Sequence, residues 1–305
     1  MDLQPMESSD MSELLLRRRN LLLRKQEELN IRAVCFEADG EQTVSITMVG
    51  TAPTITMQYS YDGVTWNAWD LSALPFGGRT KVYIRGRNTK FASSSSNYNI
   101  FTFGTDSYVY VSGIVESLLD GENEVLTIPS YSFSKLFYNQ TALRSVKNLR
   151  FEAISIAQYA YSYMFYKCSS LLYAPKVLPA NNFSGTHVYF YMFGNCMSMI
   201  TAPKLPATKL TSRCYYYMFS GCTSLVNTPE LPATELVNYC YEFMFRDCTS
   251  LKTIRCRAKK TATQATNRWL DGVTTAGTFY GHSEYGWATG ASGIPSGWEF
   301  VELTD

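Results

Sequence analysis

The chain has 305 residues, of which 46% are hydrophobic and 17% are charged, and its formal net charge is +1. The hydrophobic share is ample for a folded core, which excludes wholesale disorder, and the length suggests two or three domains. The near-neutral charge argues against a nucleic-acid-binding protein, which needs a basic surface. No apolar run reaches the roughly 18 residues of a membrane-spanning helix, and only two histidines are available for metal or acid–base chemistry.

Residues 1–30 are predicted to form a polar leader followed by one amphipathic helix. Leucines recur every seven residues along it, and five positive charges lie between positions 14 and 25 without an acidic residue. Such a helix is typical of a segment that anchors the chain on a partner or self-associates, here as a trimer or dimer. Packing against the chain's own next domain and contact with a membrane surface are the alternatives. The residues assigned to the contact are Leu15, Leu22, Leu29, Arg17, Arg18 and Arg19.

The same segment does not have the pattern of a secretion signal. Acidic residues precede the apolar ones, and an Arg triplet interrupts the leucines, whereas a signal begins with basic residues and continues with an apolar stretch. We therefore expect the chain to stay in the cytoplasm where it is made, unless an assembly carries it out. The eight cysteines are then expected to be free thiols.

Residues 31–120 are predicted to form a β-sandwich domain, because short alternating runs separated by turn signals are typical of that fold. The runs are 32–36, 43–48, 54–59 and 81–85. Residues 60–66 resemble a shortened Asp-box hairpin, a feature of sialidases and other surface β-proteins in which Asp62 and Gly63 would form the turn. The box is structural even in those enzymes, so we assign it no catalytic role.

Residues 121–258 contain an internal repeat with a period of 26 to 28 residues. A Tyr-Met-Phe triplet, or Phe-Met-Phe in the last copy, begins at positions 163, 191, 217 and 243. A cysteine follows each triplet after three residues, a Leu or Met follows after three more, and Pro-containing motifs close most units. A degenerate earlier unit contains Leu136 and Phe137. The repeat predicts a solenoid of about five stacked units whose Met, Phe and Leu columns fill the interior.

The pattern Y-M-F-x-x-C-x-S-L-x-x-A-P-x-L-P-A-T resembles the BspA-like, Treponema pallidum-type leucine-rich repeats. These repeats are found in bacterial surface proteins and in virion fibre proteins of phages of gut bacteria. The resemblance covers residues 130–257, and the tail at 259–305 resembles the C-terminal cap of such arrays. It implies a binding or scaffold role without catalytic residues. The predicted fold is therefore mainly β with short helices: an N-terminal helix, a β-sandwich domain and a leucine-rich-repeat solenoid with a cap.

The cysteines of the repeat are predicted to form a column along the solenoid. Cys168, Cys196, Cys222 and Cys248 occupy equivalent positions in successive units. A regular ladder holds its side chains parallel, which does not suit disulfides, and metal sites favour close pairs that are missing here. We therefore interpret these cysteines as small apolar residues that fill a tight inner column.

No catalytic motif is found in the sequence, so we predict a protein that is not an enzyme and uses no cofactor or metal. The remaining functional signal is the 22 tyrosines, because aromatic side chains exposed along a solenoid suit contact with a protein or glycan. The alternative is that these tyrosines simply line the strands of the sheet. The residues assigned to the exposed face are Tyr161, Tyr189, Tyr215, Tyr216 and Tyr241.

The order of the parts predicts a non-enzymatic virion protein, a phage head or tail fibre. Its N-terminus would bind a capsid or tail protein, and its solenoid would display a recognition surface for a host-surface glycan or protein. A bacterial cell-surface adhesin is the alternative, although an adhesin normally needs a signal peptide. A glycan-processing enzyme is the third hypothesis, and only the Asp-box-like hairpin favours it.

Overall fold

The computed structural model describes residues 31–105, 107–179, 182–259 and 262–304. The predicted N-terminal helix, with Leu15, Leu22, Leu29, Arg17, Arg18 and Arg19, lies outside these residues. The described part is mainly β, as predicted, with two short 3-10 helices at Val115–Leu118 and Ser283–Tyr285. Neither helix of this part is long and apolar enough to cross a membrane.

Two sheets make up the N-terminal domain. Its strands are β1 (Val34–Ala38), β2 (Glu41–Val49), β3 (Met57–Ser60), β4 (Asn67–Trp69), β5 (Leu74–Gly77), β6 (Val82–Gly86), β7 (Tyr98–Phe103) and β8 (Val109–Ile114). One sheet has the order β8-β1-β6-β3-β4 and the other β5-β2-β7, and neighbours in both are antiparallel. Phe36 contacts Phe101 and Phe76 between the sheets, with ring centroids 5.2 and 6.2 Å apart. Three predicted runs overlap β1, β2 and β6, whereas the run at 54–59 becomes a strand only from Met57.

The predicted hairpin forms the turn between β3 and β4. The Asp62 carboxylate accepts hydrogen bonds from the N–H groups of Val64 and Thr65 at 2.8 and 2.7 Å. These bonds stabilise the charged form and hold the pKa of Asp62 well below its usual range. Gly63 has a φ of 75°, a conformation that glycine adopts at little cost. The carboxylate therefore serves the turn, as its sequence indicated.

From residue 127 onwards the chain winds as a β-solenoid, as the repeat predicted. Its strands are β9 (Thr127–Ile128), β10 (Leu143–Arg150), β11 (Ser155–Ile156), β12 (Asn227–Leu231), β13 (Thr253–Cys256), β14 (Thr278–Gly281) and β15 (Glu299–Glu302). β9 pairs with β11, and β12 to β15 pair in sequence order, all in parallel. Isolated parallel bridges, from Ser145 to Tyr173 and from Tyr173 to Thr201, connect the middle turns of the solenoid.

The opposite side of each solenoid turn is a ribbon of consecutive tight turns. In the first ribbon Tyr131, Lys135 and Asn139 have φ values of 63, 63 and 59°. Backbone N–H groups alternate between two acceptors: that of Ser134 donates to Tyr131 O in the same ribbon, and that of Lys135 donates to Ser162 O in the next. Every backbone N–H of this first ribbon therefore finds a partner without a conventional strand. The ribbons are 131–139, 159–167, 187–195, 213–221, 239–247 and 264–272.

The sixth ribbon lies in the segment that the sequence assigned to the cap, so the array is one unit longer than predicted. Gln264, Arg268 and Gly272 repeat the positive φ values, and the N–H of Phe243 donates to Asn267 O as in the other units. The sequence hides this unit because Arg-Trp-Leu at 268–270 replaces the triplet and no cysteine follows it.

Two ladders of stacked rings run through the solenoid core. The first consists of Phe101, Phe137, Phe165, Phe193, Phe219 and Phe245, with successive centroids 5.3 to 5.6 Å apart. The second consists of Phe133, Tyr161, Tyr189, Tyr215, Tyr241 and Trp269, with centroids 5.7 to 6.3 Å apart. The predicted Met, Phe and Leu columns are fully buried from Met164 to Leu251, which confirms that they fill the interior.

The N-terminal domain covers the first turn of the solenoid. Strand β10 extends the larger sheet by pairing in parallel with β8. The N–H groups of Phe91 and Phe101 donate to the carbonyls of Ser132 and Leu136, which replaces the ribbon that would precede the first one. One hydrophobic core consequently extends from β1 to the last turns.

All eight cysteines are free and buried, which confirms the apolar role predicted for the repeat column. The sequence did not indicate their hydrogen bonds: the thiols of Cys168, Cys196, Cys222 and Cys248 each donate to the carbonyl of a Phe in the preceding turn, at 3.0 to 3.1 Å. Burial raises the pKa of Cys168 and Cys248 to about 12. Such thiols stay protonated, and a protonated thiol is a poor nucleophile.

We predict that Ellman's reagent at mildly alkaline pH labels none of the eight cysteines in the native protein. All eight should react once guanidinium has unfolded the chain, because only folding shields the thiols and raises their pKa. Absorbance of the released thionitrobenzoate measures both states. Rapid labelling of a native cysteine would contradict the burial of the column.

A second prediction tests the positive φ of the ribbons at Lys167, an exposed residue with a φ of 62°. Lys167→Val should lower the free energy of unfolding by about 1–2 kcal/mol, because a β-branched residue is strained in this conformation. Lys167→Gly should change it by less than about 0.5 kcal/mol, because glycine adopts a positive φ freely. Urea denaturation followed by circular dichroism measures both.

The matched control is Lys209→Val, at an exposed lysine outside the ribbons and without a positive φ. It should have little effect on stability. Equal losses for the two valine variants would show that the ribbon conformation does not impose the cost.

Candidate functional site

The structure corrects the predicted tyrosine face. Tyr161, Tyr189, Tyr215 and Tyr241 are 0, 0, 2 and 1% exposed, so their assignment to an exposed surface is wrong. Each lies midway between two positive-φ residues of its ribbon, and these midway side chains turn into the core. Of the five predicted residues, only Tyr216 is partly exposed.

In the four middle ribbons, a partly exposed aromatic residue occupies the middle positive-φ position. We call this column the outer ladder, and it consists of Lys135, Tyr163, Tyr191, Tyr217, Phe243 and Arg268. Successive rings from Tyr163 to Phe243 stack with centroids 5.3, 4.4 and 4.4 Å apart and interplanar angles of 10 to 15°. A cation closes each end: Lys135 Nζ lies 5.7 Å from the ring of Tyr163, and the Arg268 guanidinium lies 5.7 Å from that of Phe243.

A second column lies beside the outer ladder, at the first positive-φ position of each ribbon. We call it the side ladder, and it consists of Tyr131, Tyr159, His187, Arg213, Tyr239 and Gln264. Tyr159 stacks on Tyr131 at 4.9 Å and on His187 at 4.6 Å, and the Arg213 guanidinium lies 4.1 Å above the ring of Tyr239. Between the two ladders, Tyr216 stacks on Phe190 at 5.4 Å. The two ladders and these two residues together form the ladder face.

The ladder face presents ring edges and hydroxyl groups rather than ring faces. A stacked ring has a neighbour on each face, so a ligand reaches only its rim. Tyr191 is the clearest case, because it lies between Tyr163 and Tyr217 in the outer ladder. The accessible chemistry is therefore hydrogen bonding by phenols along a fixed row.

Burial and local charge decide which groups of the ladder face are ionised. Burial raises the pKa of Tyr163 and Tyr216 to about 12, so these phenols remain neutral donors. Burial, and then the positive charge of Arg213, lower the pKa of His187 to about 4, so its imidazole is neutral at pH 7. The positive charge of the face therefore comes from lysine and arginine side chains.

The cations of this region differ in whether an acidic residue neutralises them. Arg246 and Arg268 form ion pairs with the neighbouring Asp247 and Asp271. By contrast, no carboxylate of the described residues pairs with three cations, which are Lys135, Lys167 and Arg213. The ladder face thus carries unneutralised positive charge beside its phenols.

Two other features of the described residues have some properties of a functional site. A cleft of about 620 Å³ lies where the N-terminal domain meets the solenoid, and it combines apolar side chains such as Phe151 and Val177 with charges of both signs. No three His, Cys, Asp or Glu side chains lie together in a metal-binding group anywhere in the described ranges. The ladder face is more continuous than this cleft, and hydrogen bonds between successive ribbons fix the positions of its side chains.

The second feature is a buried carboxyl group at the junction of the two parts. Glu116 is fully buried, and its Oε1 accepts hydrogen bonds from the Tyr161 hydroxyl at 3.0 Å and the Ala153 N–H at 3.3 Å. Its other oxygen has no hydrogen-bond partner. Burial raises the pKa of Glu116 to about 7. Because the core encloses it, this group affects stability rather than contacting a substrate.

Comparison with known proteins found no matching family model, no matching curated protein and no matching solved structure. What the ladder face does is therefore inferred from its own geometry and charge.

The sequence contained a signal for the ladders that its repeat pattern alone did not reveal. The third positive-φ position of the ribbons is occupied by Asn139, Lys167, Asn195, Gly221, Asp247 and Gly272. Asn, Asp and Gly are the residues that most readily take a positive φ. One of these types stands three residues after the triplet Met in three of the four triplets, which marks a left-handed position, and counting back four residues reaches the outward Tyr or Phe.

Glu116 generates a prediction about pH. Because its folded pKa of about 7 exceeds its usual value of 4.5, its contribution to stability is complete below about pH 4.5 and is lost as the pH rises through 7. The free energy of unfolding should fall by about 3 kcal/mol over this range, at roughly 1.4 kcal/mol per pKa unit. Glu116→Gln, whose amide oxygen can accept both hydrogen bonds, should remove this dependence.

Urea denaturation at several pH values between about 5 and 8 measures the free energy of unfolding of the parent protein and of Glu116→Gln. The variant should be the more stable protein at the alkaline end. Parallel pH profiles for the two proteins would mean that Glu116 does not titrate in this window.

Proposed function

We propose that this chain is a non-enzymatic virion protein, a head or tail fibre of a phage, that presents its solenoid to the surface of a host cell. The observation that carries the proposal is the ladder face. It forms a row of partly exposed aromatic and cationic side chains, fixed by hydrogen bonds between successive ribbons. Aromatic residues and arginine are the types most enriched in recognition surfaces.

The distribution of chemically unusual groups favours binding over catalysis. The carboxyl and thiol groups whose pKa is raised most, such as Glu116 and Cys196, are enclosed in the core. The exposed surface instead offers neutral phenols and permanent cations, which bind and orient ligands. The hairpin at Asp62 adds nothing to the enzyme hypothesis, because backbone N–H groups already occupy its carboxylate.

The arrangement of the parts supports anchoring at one end and display at the other. The described chain starts at Ile31 in the N-terminal domain, which covers the first ribbon, and the later ribbons stack successively away from it. We interpret this domain as a β-sandwich and the solenoid as a BspA-like leucine-rich-repeat array. Residues 1–30 would bind a capsid or tail protein and would associate the chains into a trimer or dimer.

A bacterial cell-surface adhesin is the second candidate, because the same ladder face would serve it equally well. The two candidates differ in location.

Immunogold electron microscopy tests the proposal. We expect antibodies raised against the full chain to label phage particles that carry the gene. Particles from a phage that encodes only residues 31–305 should be unlabelled, because the anchor is missing. Light scattering should also give a lower mass per assembly for the truncated chain, with an unchanged circular dichroism spectrum.

Label on the bacterial envelope instead of the particle would favour the adhesin. Labelled particles and an unchanged mass after truncation would show that residues 1–30 are not the anchor.

A further inference from the structure

The stacking in the ladders restricts what the ladder face can bind. Sugars that dock on an exposed aromatic plane need a free ring face, but Tyr191 and Tyr217 have stacked rings on both sides. The face therefore offers hydroxyl groups at ring edges, in steps of 4.4 to 5.3 Å between ring centroids. A ligand that contacts several of them must be elongated and rich in hydrogen-bonding groups.

Arg213 is the group that adds charge recognition to this row. It is partly exposed in the side ladder between His187 and Tyr239, and its guanidinium carbon lies 4.1 Å from the centre of the Tyr239 ring. No carboxylate within the described ranges pairs with it. A guanidinium stacked on a ring keeps its edge free to donate two parallel hydrogen bonds to a carboxylate or phosphate.

No acidic neighbour of Arg213 in the described residues forms an ion pair with it. His187 stays neutral above pH 4 or so, as its lowered pKa requires, and the raised pKa of Tyr216 keeps that phenol neutral. Glu242 is the acidic residue near Tyr216, but it is buried and accepts a hydrogen bond from the Asn267 amide at 2.7 Å. Lys135 and Lys167 extend the positive charge along the ribbons.

We propose that the ladder face binds an anionic polysaccharide, whose hydroxyl groups meet the phenol row and whose acidic groups contact Arg213. The inference rests on the proposed recognition function and names the ligand class of that same surface. Carboxylate groups of acidic sugars and phosphate groups of a polyol-phosphate chain are the two sources of the required anion. A neutral glycan would leave Arg213 without a partner.

Biolayer interferometry with immobilised full-length protein separates these ligands. The probes are polygalacturonate, its fully methyl-esterified form, which has the same backbone without charge, and poly(glycerol phosphate). We expect at least one acidic polymer to bind, and the esterified polymer to bind about tenfold more weakly or not at all. The acidic polymer that binds identifies the anion, and its affinity should fall as salt is added.

Variants locate the contact. Arg213→Gln should weaken binding of the acidic polymer by about tenfold, because one charged, forked contact is lost. Its fold should be kept, since Gln264 occupies the equivalent position with a φ of 52°. Arg213→Lys keeps the charge but loses the forked guanidinium, so its affinity for the acidic polymer should lie between those of the parent protein and Arg213→Gln. Lys204→Gln removes an equal charge at an exposed position outside the ribbons and should bind as the parent does.

Three results would overturn the inference: no binding to either acidic polymer, equal binding to the esterified polymer, or equal losses for Arg213→Gln and Lys204→Gln. Host-cell binding that survives Arg213→Gln and is abolished by protease treatment of the cells would assign the face to a protein partner instead. In all of these cases immunogold label on the virion would still support the proposed function. Unlabelled particles would contradict the proposed virion function even if the protein binds a polysaccharide.

Discussion

The structure depends on one constraint, the alternation of backbone N–H groups within each ribbon. In the first five ribbons one N–H closes a turn with the carbonyl three residues earlier, and the next donates to the following turn of the solenoid. To keep this alternation the chain needs a positive φ at every fourth residue, which recurs at three positions in each of six ribbons. Sixteen of these positions are not glycine, although a left-handed conformation costs such residues energy. Hydrogen bonding and stacking between turns must offset that cost, so the ribbons are stable only as an array.

The same geometry separates the side chains into an inner and an outer set. Residues at a positive φ point outward and form the ladders of the surface, while residues midway between them point inward and form the ladders of the core. Two tyrosines two positions apart therefore have opposite roles: Tyr161 is enclosed and hydrogen bonded to Glu116, whereas Tyr163 is partly exposed. The N-terminal domain belongs to this system, because Phe101 starts the Phe ladder and its N–H binds the first ribbon. This domain therefore caps the array, because its N–H groups donate to carbonyls of the first ribbon that would otherwise lack a hydrogen-bond partner.

These relations explain what could be predicted from the sequence. The period, the buried Met, Phe and Leu columns, the inert cysteines and the Asp62 turn all follow from residue type and spacing, and the structure bears them out. The sequence did not indicate which tyrosine side chains face the core and which face solvent. An aromatic residue at a positive φ contradicts local propensity, and contacts between turns impose this conformation. The sixth unit was missed for a related reason: Trp269 continues the core ladder with a different residue type, so only its geometry identifies it. The buried Glu116 was also beyond reach, since its partners Ala153 and Tyr161 are distant in sequence.

The division between inner and outer sets bears directly on recognition. Within this one chain the inner columns repeat almost the same residues from turn to turn, because each must fill a space of fixed shape. The outer columns change from turn to turn: the side ladder has Tyr159, then His187, then Arg213 at equivalent positions. An outward side chain makes few contacts with the core, so its replacement alters the surface while the ribbon hydrogen bonds remain. A solenoid built in this way can change its outward side chains without changing its fold, and the proposed recognition of a host surface would make use of that property.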